Sequence, residues 1–321
     1  MGAFALASAF SPNWYVLAAC RFGTGAGAGF FFAPGLGLVA TYYPAGTRGP
    51  IIGLYNAGFS AGAAVGVLFG AAIGLAFGWP WALAVGGVGL LGMAGAATLF
   101  LPPVLARRGP RGATGLLRAA RPVLRSRSIW ALGIALTGLW ASFYIVAQYF
   151  VQFAAHVHPT WSLTLAAALP TAMIVVEIFG GPIGGWAAER SRDMRIALLL
   201  VGVPAAIVIL FIPFLPLLGL VALFLFLGFA DGVVFAVLYL IPSYRPEAEG
   251  ESLTLALALI NCIQIFAGSA VAIAFAYIAG EWGYTAAWVF AGAVGAVTLP
   301  LLAAVPGHRG ALRATSVPLT G

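Results

Sequence analysis

The sequence predicts an all-α, polytopic bundle of membrane-spanning helices, and three observations carry that reading. Of its 321 residues 62% are hydrophobic and only 7% charged, where a soluble domain carries about a quarter charged. Mean hydropathy is +1.05. The apolar residues also run on continuously, for twenty positions or more, instead of alternating as short barrel strands would. Backbone groups in hydrocarbon must be satisfied within their own segment, so runs of that length cross as helices. The third observation is the placement of the arginines, which supply all 15 basic residues.

Taken in order, the chain opens with a short apolar stub at about 2–11, which lacks the basic start of a cleavable signal. Nine long segments follow, near 14–41, 50–77, 80–101, 128–153, 161–187, 195–213, 216–241, 252–279 and 284–305. If the stub leaves the cytoplasm, one face of the membrane receives Arg48; then Arg107, Arg108, Arg111, Arg118, Arg121, Arg125 and Arg127; then Arg190, Arg192 and Arg195; then Arg245; and last Arg309 and Arg313. Loops on the other face receive none. Arginine is retained on the cytoplasmic side, so the expectation is a multi-pass protein of the cytoplasmic membrane with a cytoplasmic C-terminus. Cys20 and Cys262 fall inside segments with no ligand spacing around them and read as packing residues.

The expected domains are a bundle over 1–101, a basic linker over 102–127 and a second bundle over 128–321. The linker has seven arginines and no acid, and a short helix within it would suit an anionic lipid surface. The net charge of +7 does not indicate nucleic acid, because the arginines flank spans and no aromatic interleaving accompanies them. Asn56 precedes Gly78-Trp79 by 22 residues and Asn261 precedes Gly283-Tyr284 by the same interval, an offset of 205. Two related halves are therefore expected. Carried back from residue 128, the offset falls before Met1, so a complete six-helix second half is expected beside a truncated first half.

Arg21-Phe22-Gly23-Thr24-Gly25-Ala26-Gly27, with an arginine ahead of spaced glycines, resembles the fourth-helix pattern of the major facilitator superfamily of secondary transporters. Tyr43-Pro44-Ala45-Gly46-Thr47-Arg48-Gly49 and the following Gly53-Leu54-Tyr55-Asn56 are similar to its fourth loop and fifth helix. Gly185-Trp186-Ala187-Ala188-Glu189-Arg190 resembles the acidic-arginine loop motif between its eighth and ninth helices, with Arg192-Asp193 where Gly-Arg is usual. The resemblance implies two pseudo-repeated six-helix halves, the first truncated by helices one, two and most of three. It also implies a conformational role for Gly185, Glu189 and Arg190.

Charges inside spans are costly and point to function. Arg21, Glu177 and Asp231 are the candidates for substrate contact or proton coupling. Glu177 shares a helix face with Pro170, Gly181 and Gly184, and a carboxyl group taken out of water there is a means of coupling a proton to a solute. Thr137, Ala141, Tyr144, Gln148 and Gln152 recur on one helix face, and lipid would tolerate that stripe poorly. Tyr144, Gln148 and Gln152, with Tyr55, Asn56, Asn261 and Gln264, are the expected cavity lining; Ser60 and Thr254 belong to the same patches. Glycines 58, 62, 66, 70 and 74 suit close helix packing. His156 and His158 lack the neighbours of a metal site, and neither metal nor cofactor is expected.

The reading is a transporter of a small solute by alternating access, with proton symport as its drive and an organic anion as the favoured solute class. A facilitative uniporter or antiporter is the alternative, and a non-transporting remnant the alternative of another class. An enzyme would need a paired nucleophile and base or a metal cluster, and neither is found. The expected partners are the solute, a proton and the lipid bilayer, around a monomer.

Overall fold

The computed structural model describes residues 1–44, 46–100, 112–245, 248 and 251–305. Linker residues 102–111, with Arg107, Arg108 and Arg111, lie outside them, as do Arg309 and Arg313. The elements in order are α1 (Gly2–Ser8), α2 (Trp14–Tyr42), α3 (Arg48–Phe77), α4 (Trp79–Phe100), α5 (Gly112–Arg125), α6 (Arg127–Val157), α7 (Leu163–Arg190), α8 (Met194–Ile209), α9 (Leu217–Leu240) and α10 (Glu251–Thr298), with 3-10 turns at Ile212–Phe214, Ile241–Tyr244 and Leu299–Ala304. The fold class is as expected: the described residues are helical and hold no strand.

Local chemistry sets the breaks. Gly78 (φ 92) separates α3 from α4, and Gly283 (φ 84) splits α10 into two arms. Both sit in the left-handed region that a side chain disfavours. With the arms counted apart, α2 to α4 and α6 to α10 reproduce the nine apolar segments read from the sequence. Ser126, Ser162 and Asp193 cap α6, α7 and α8 by accepting from Ile129 N, Leu165 N and Arg195 N. Six stretches are long and apolar enough to cross a bilayer: Trp14–Ala40, Trp79–Leu99, Arg127–Val157, Leu163–Arg190, Leu217–Tyr244 and Ser252–Ala304, the last holding both arms of α10.

The chain divides into two compact units, Met1–Gly35 with Gly62–Leu117, and Leu36–Ala61 with Arg118–Gly321. In the first, α1 packs on α4. The main pairings of the second are α6 with α10 and α7 with α9. Its core includes an aromatic cluster in which Phe150 meets Phe224 edge-on at 4.5 Å, and Trp288 packs against Phe153 and Phe275 at 5.6 and 5.0 Å. Such rings have interaction energy beyond their burial.

Glycine lets backbones touch in this second unit, at positions other than the expected stripe. A Cβ on Gly49 would strike the Gly185 carbonyl, and one on Gly53 the Gly181 carbonyl. On the far side of α7, Gly180 faces the Phe229 carbonyl and Gly232 faces the Glu177 carbonyl. Helix α7 is thus held between α3 and α9 at backbone distance. Nothing described comes within 4 Å of a Cβ built on Gly58, Gly62, Gly66, Gly70 or Gly74. The close packing expected there occurs one and two turns earlier on α3, because the glycines that α7 offers oppose Gly49 and Gly53.

Candidate functional site

The antiparallel register of α3 and α7 follows from those glycine pairs, since four residues along α3 match four residues back along α7. One turn beyond Gly53 the register brings Asn56 opposite Glu177. Asn56 Nδ2 donates to Glu177 Oε1 at 2.9 Å. Asn56 is fully buried and Ser60 nearly so; the Ser60 hydroxyl donates to the Asn56 carbonyl at 3.2 Å and also faces the Glu177 carboxyl. Asn56 Oδ1 has no partner among the described residues. Asp231, on the other side of α7, lies within electrostatic reach of Glu177. Two carboxyl groups, an amide and a hydroxyl therefore converge at mid-helix, in an apolar setting where charge acts over longer range than in water.

A second cluster lies two to three turns away, at the arginine-bearing ends of the same helices. The Tyr244 hydroxyl donates to Glu189 Oε1 at 2.9 Å and accepts from Gly46 N at 3.1 Å. Arg48 bridges two backbone carbonyls, Tyr43 O at 2.8 Å and Ser243 O at 3.1 Å. Glu189 is buried, and its Oε2 has no partner among the described residues. Gly185 makes the backbone approach to Gly49, so two motif residues sit at this junction. The third, Arg190, turns outward and lies 4.3 Å over the Trp186 ring.

Asp193 pairs with Arg195 at 2.6 Å. Partial burial works to raise the Asp193 pKa, but the hydrogen bonds and charge of Arg195, with Arg245 beyond, outweigh it and hold the carboxyl below its ordinary value. Arg195 also donates to Val305 O at 2.6 Å, fastening the start of α8 to the end of the chain's last described turn.

The third cluster joins α9 to α10. The Tyr239 hydroxyl lies 3.2 Å from Asn261 Oδ1 and 3.1 Å from Gln264 Oε1. Gln264 is buried and its Nε2 lacks a partner among the described residues. On α6, Thr137 is buried and bonds back to Gly133 O at 2.8 Å. Tyr144, Gln148 and Gln152 are exposed, and Tyr144 stacks on Trp140 at 5.6 Å. Tyr55 is half-buried. In the first unit, Arg21 is exposed on α2 and donates through Nε to the buried Ser8 hydroxyl at 3.1 Å.

Sequence reasoning named Glu177, Asp231 and Asn56 separately and did not pair them. It missed Tyr239 and Tyr244. A phenol eight residues beyond Asp231 in an otherwise apolar helix was the available signal for Tyr239. Tyr244, beside Pro242 in a short turn, offered none.

The sequence pattern that defines the Major Facilitator Superfamily matches residues 1–253. The chain belongs to this superfamily. No curated protein matches it in sequence. Among solved structures it is similar to a point variant of the Escherichia coli fucose:proton symporter FucP, with a TM-score of 0.70 at 17% identity over 94% of this chain and 81% of that one. FucP in its outward conformation gives 0.69 at 16% identity, covering 94% and 80%. A bacterial homolog of the human lysosomal transporter Spinster, inward-facing and unoccupied, gives 0.54 at 17% identity, covering 95% and 78%. At such identities the likeness is one of fold. It supports what the helices show, a multi-pass membrane protein with the architecture of a superfamily transporter.

Proposed function

We propose that the protein is a proton-coupled symporter that moves a small solute by alternating access, and that Glu177 takes up and releases the coupling proton. The hydrogen bond from Asn56 to Glu177 carries the proposal. An ionised Glu177 accepts from the Asn56 amide, and a bond to a charged acceptor is roughly twice as strong as a neutral one. That bond holds α3 on α7 just beyond the glycine contacts that close the arginine-bearing end. Protonation turns it into a neutral pair and weakens the hold by about 1 kcal/mol, a roughly fivefold change in the closed-to-open ratio. Proton binding and opening towards the arginine-bearing side are then linked, and the positive-inside pattern makes that side cytoplasmic, with the C-terminus there. Asp231 biases the exchange, since two carboxylates so placed repel each other.

Arg21 favours an organic anion as the solute: its partner is a hydroxyl, and no carboxylate neutralises it among the described residues. The side-chain amides of Asn56, Asn261 and Gln264 suit its hydroxyl and carboxyl groups. Gly185, Glu189 and Arg190 act at the junction that opens.

A thermal-shift screen of sugars, carboxylates and amines supplies the solute for the test, which compares proteoliposomes with and without Glu177→Gln. The expected result is loss of proton-driven accumulation with solute counterflow retained. Equal loss of both activities overturns the coupling role.

A further inference from the structure

We infer that the second half of α5 and the start of α6 form a binding site for anionic phospholipid headgroups in the leaflet on the arginine-bearing side. The observations come from a surface that the transport reading leaves unused.

The segment is a built element fixed on one face. Ala119 O accepts from the Ser252 hydroxyl at 2.9 Å, the Val123 side chain is 1% exposed, and Leu124 O accepts from Trp130 Nε1 at 3.0 Å. Away from that face stand Arg118, Arg121 and Arg125, at spacings of three and four residues that align them along one side of the helix. All three are exposed, as is Arg127 two residues on. No acidic residue precedes Glu177 in the chain, and among the described residues the ion pair belongs to Asp193 and Arg195. Among the described residues no carboxylate pairs with Arg118, Arg121, Arg125 or Arg127.

An apolar edge runs beside them. Leu124 is 53% exposed and Trp130 38%. Helix α6, a span of 31 residues, begins at Arg127, so this edge lies where hydrocarbon gives way to headgroups. Indole prefers that depth, with its ring in the apolar region and its N–H bonded. The combination selects the ligand. A guanidinium fork matches two oxygens of a phosphate, while Leu124 and Trp130 give acyl chains a surface that an inorganic anion cannot use. A nucleic acid would meet the charge but have no use for the leucine edge at this depth.

Each arginine near an anionic membrane surface contributes about fivefold in affinity, so three together should give on the order of a hundredfold. To test this, the full chain is reconstituted in phosphatidylcholine bilayers, and brominated phosphatidylglycerol or brominated phosphatidylcholine is titrated in. Trp130 quenching is taken as the difference between the unsubstituted protein and Trp130→Phe. The site predicts quenching by the anionic lipid at a mole fraction at least tenfold lower than by the zwitterionic one, with little displacement by millimolar inorganic phosphate. Arg118, Arg121 and Arg125 changed together to Gln should remove the preference, and the same three changed to Lys should keep most of it. Equal quenching by the two lipids in the unsubstituted protein overturns the inference without recourse to any variant. So does a preference that survives the Gln substitutions, or one that phosphate abolishes.

Discussion

Asn56 and Asn261 hold the same place in two stretches of one design, each 22 residues ahead of a glycine with a left-handed backbone, Gly78 and Gly283. Both asparagines bond to a neighbouring helix in the second unit, and there the likeness ends. Asn56 meets a carboxyl group at 2.9 Å; Asn261 meets the Tyr239 phenol at 3.2 Å, and that phenol has Gln264 as a second neighbour. A phenol titrates near 10 in water and a carboxyl near 4, so at neutral pH a solvated carboxyl is charged and a phenol is not. The difference teaches how a duplicated scaffold can divide its work: one copy of the asparagine meets a carboxyl group, which the proposed function makes the proton carrier, and the other joins a network of phenol and amide.

The largest expected effect comes from the contact that makes the first arrangement possible. Gly53→Leu drives a side chain into the Gly181 backbone and should destabilise the protein by about 3 kcal/mol or separate α3 from α7. Gly58→Ala, on the same helix with open space around it, should be neutral or stabilising by up to about 1 kcal/mol. Thermal melts of the two variants in one detergent check the pair. Comparable losses in both would break the register on which the Asn56–Glu177 pairing depends.

Next in size, Asn56→Ala deprives Glu177 of its amide donor and should cost about 1–3 kcal/mol, whereas Asn261→Ala leaves Tyr239 bonded to Gln264 and should cost about 1 kcal/mol or less. The same melts distinguish them, and a reversed order would remove the contrast between the two copies. The smallest effect belongs to the Asp193–Arg195 pair at the surface. The Asp193 pKa is depressed in the folded protein, so the pair's contribution is complete above the unfolded value of about 3.9 and is lost as the pH falls through the lower folded value. Asp193→Asn should therefore cost about 0.5 kcal/mol at neutral pH and nothing once the pH is below both values. A loss that persists at acid pH would assign its effect to the α8 cap instead of the charge.

Much of this architecture was legible in the chain. Apolar runs gave the spans, because hydrocarbon forces each to satisfy its own backbone, and the 205-residue offset pointed to two glycines that turn out to share a left-handed turn. The mid-helix carboxyls were legible as well, because Glu177 and Asp231 stand alone in apolar stretches of sequence. Their pairing with Asn56 was not, since it depends on which glycines of α3 meet which of α7. The stripe from Gly58 to Gly74 has the more regular spacing, yet Gly49 and Gly53 make the contact. Periodicity tells which residues share a face, and opposing helices decide which face is used. Gln264 shows the same limit: its amide belongs to the polar patch read from the sequence, but packing against Tyr239 buries it.

Spin labels at Thr47→Cys and Arg192→Cys, with Cys20 and Cys262 replaced by Ala, report the distance across the junction that Glu177 is proposed to govern. Both positions are exposed, and double electron–electron resonance reads their separation in reconstituted protein. Lowering the pH should add a longer-distance population of about fivefold greater weight, and Glu177→Gln should show that population already at neutral pH. A distance distribution that neither acid nor the substitution alters would contradict the claim that protonation of Glu177 loosens α3 from α7.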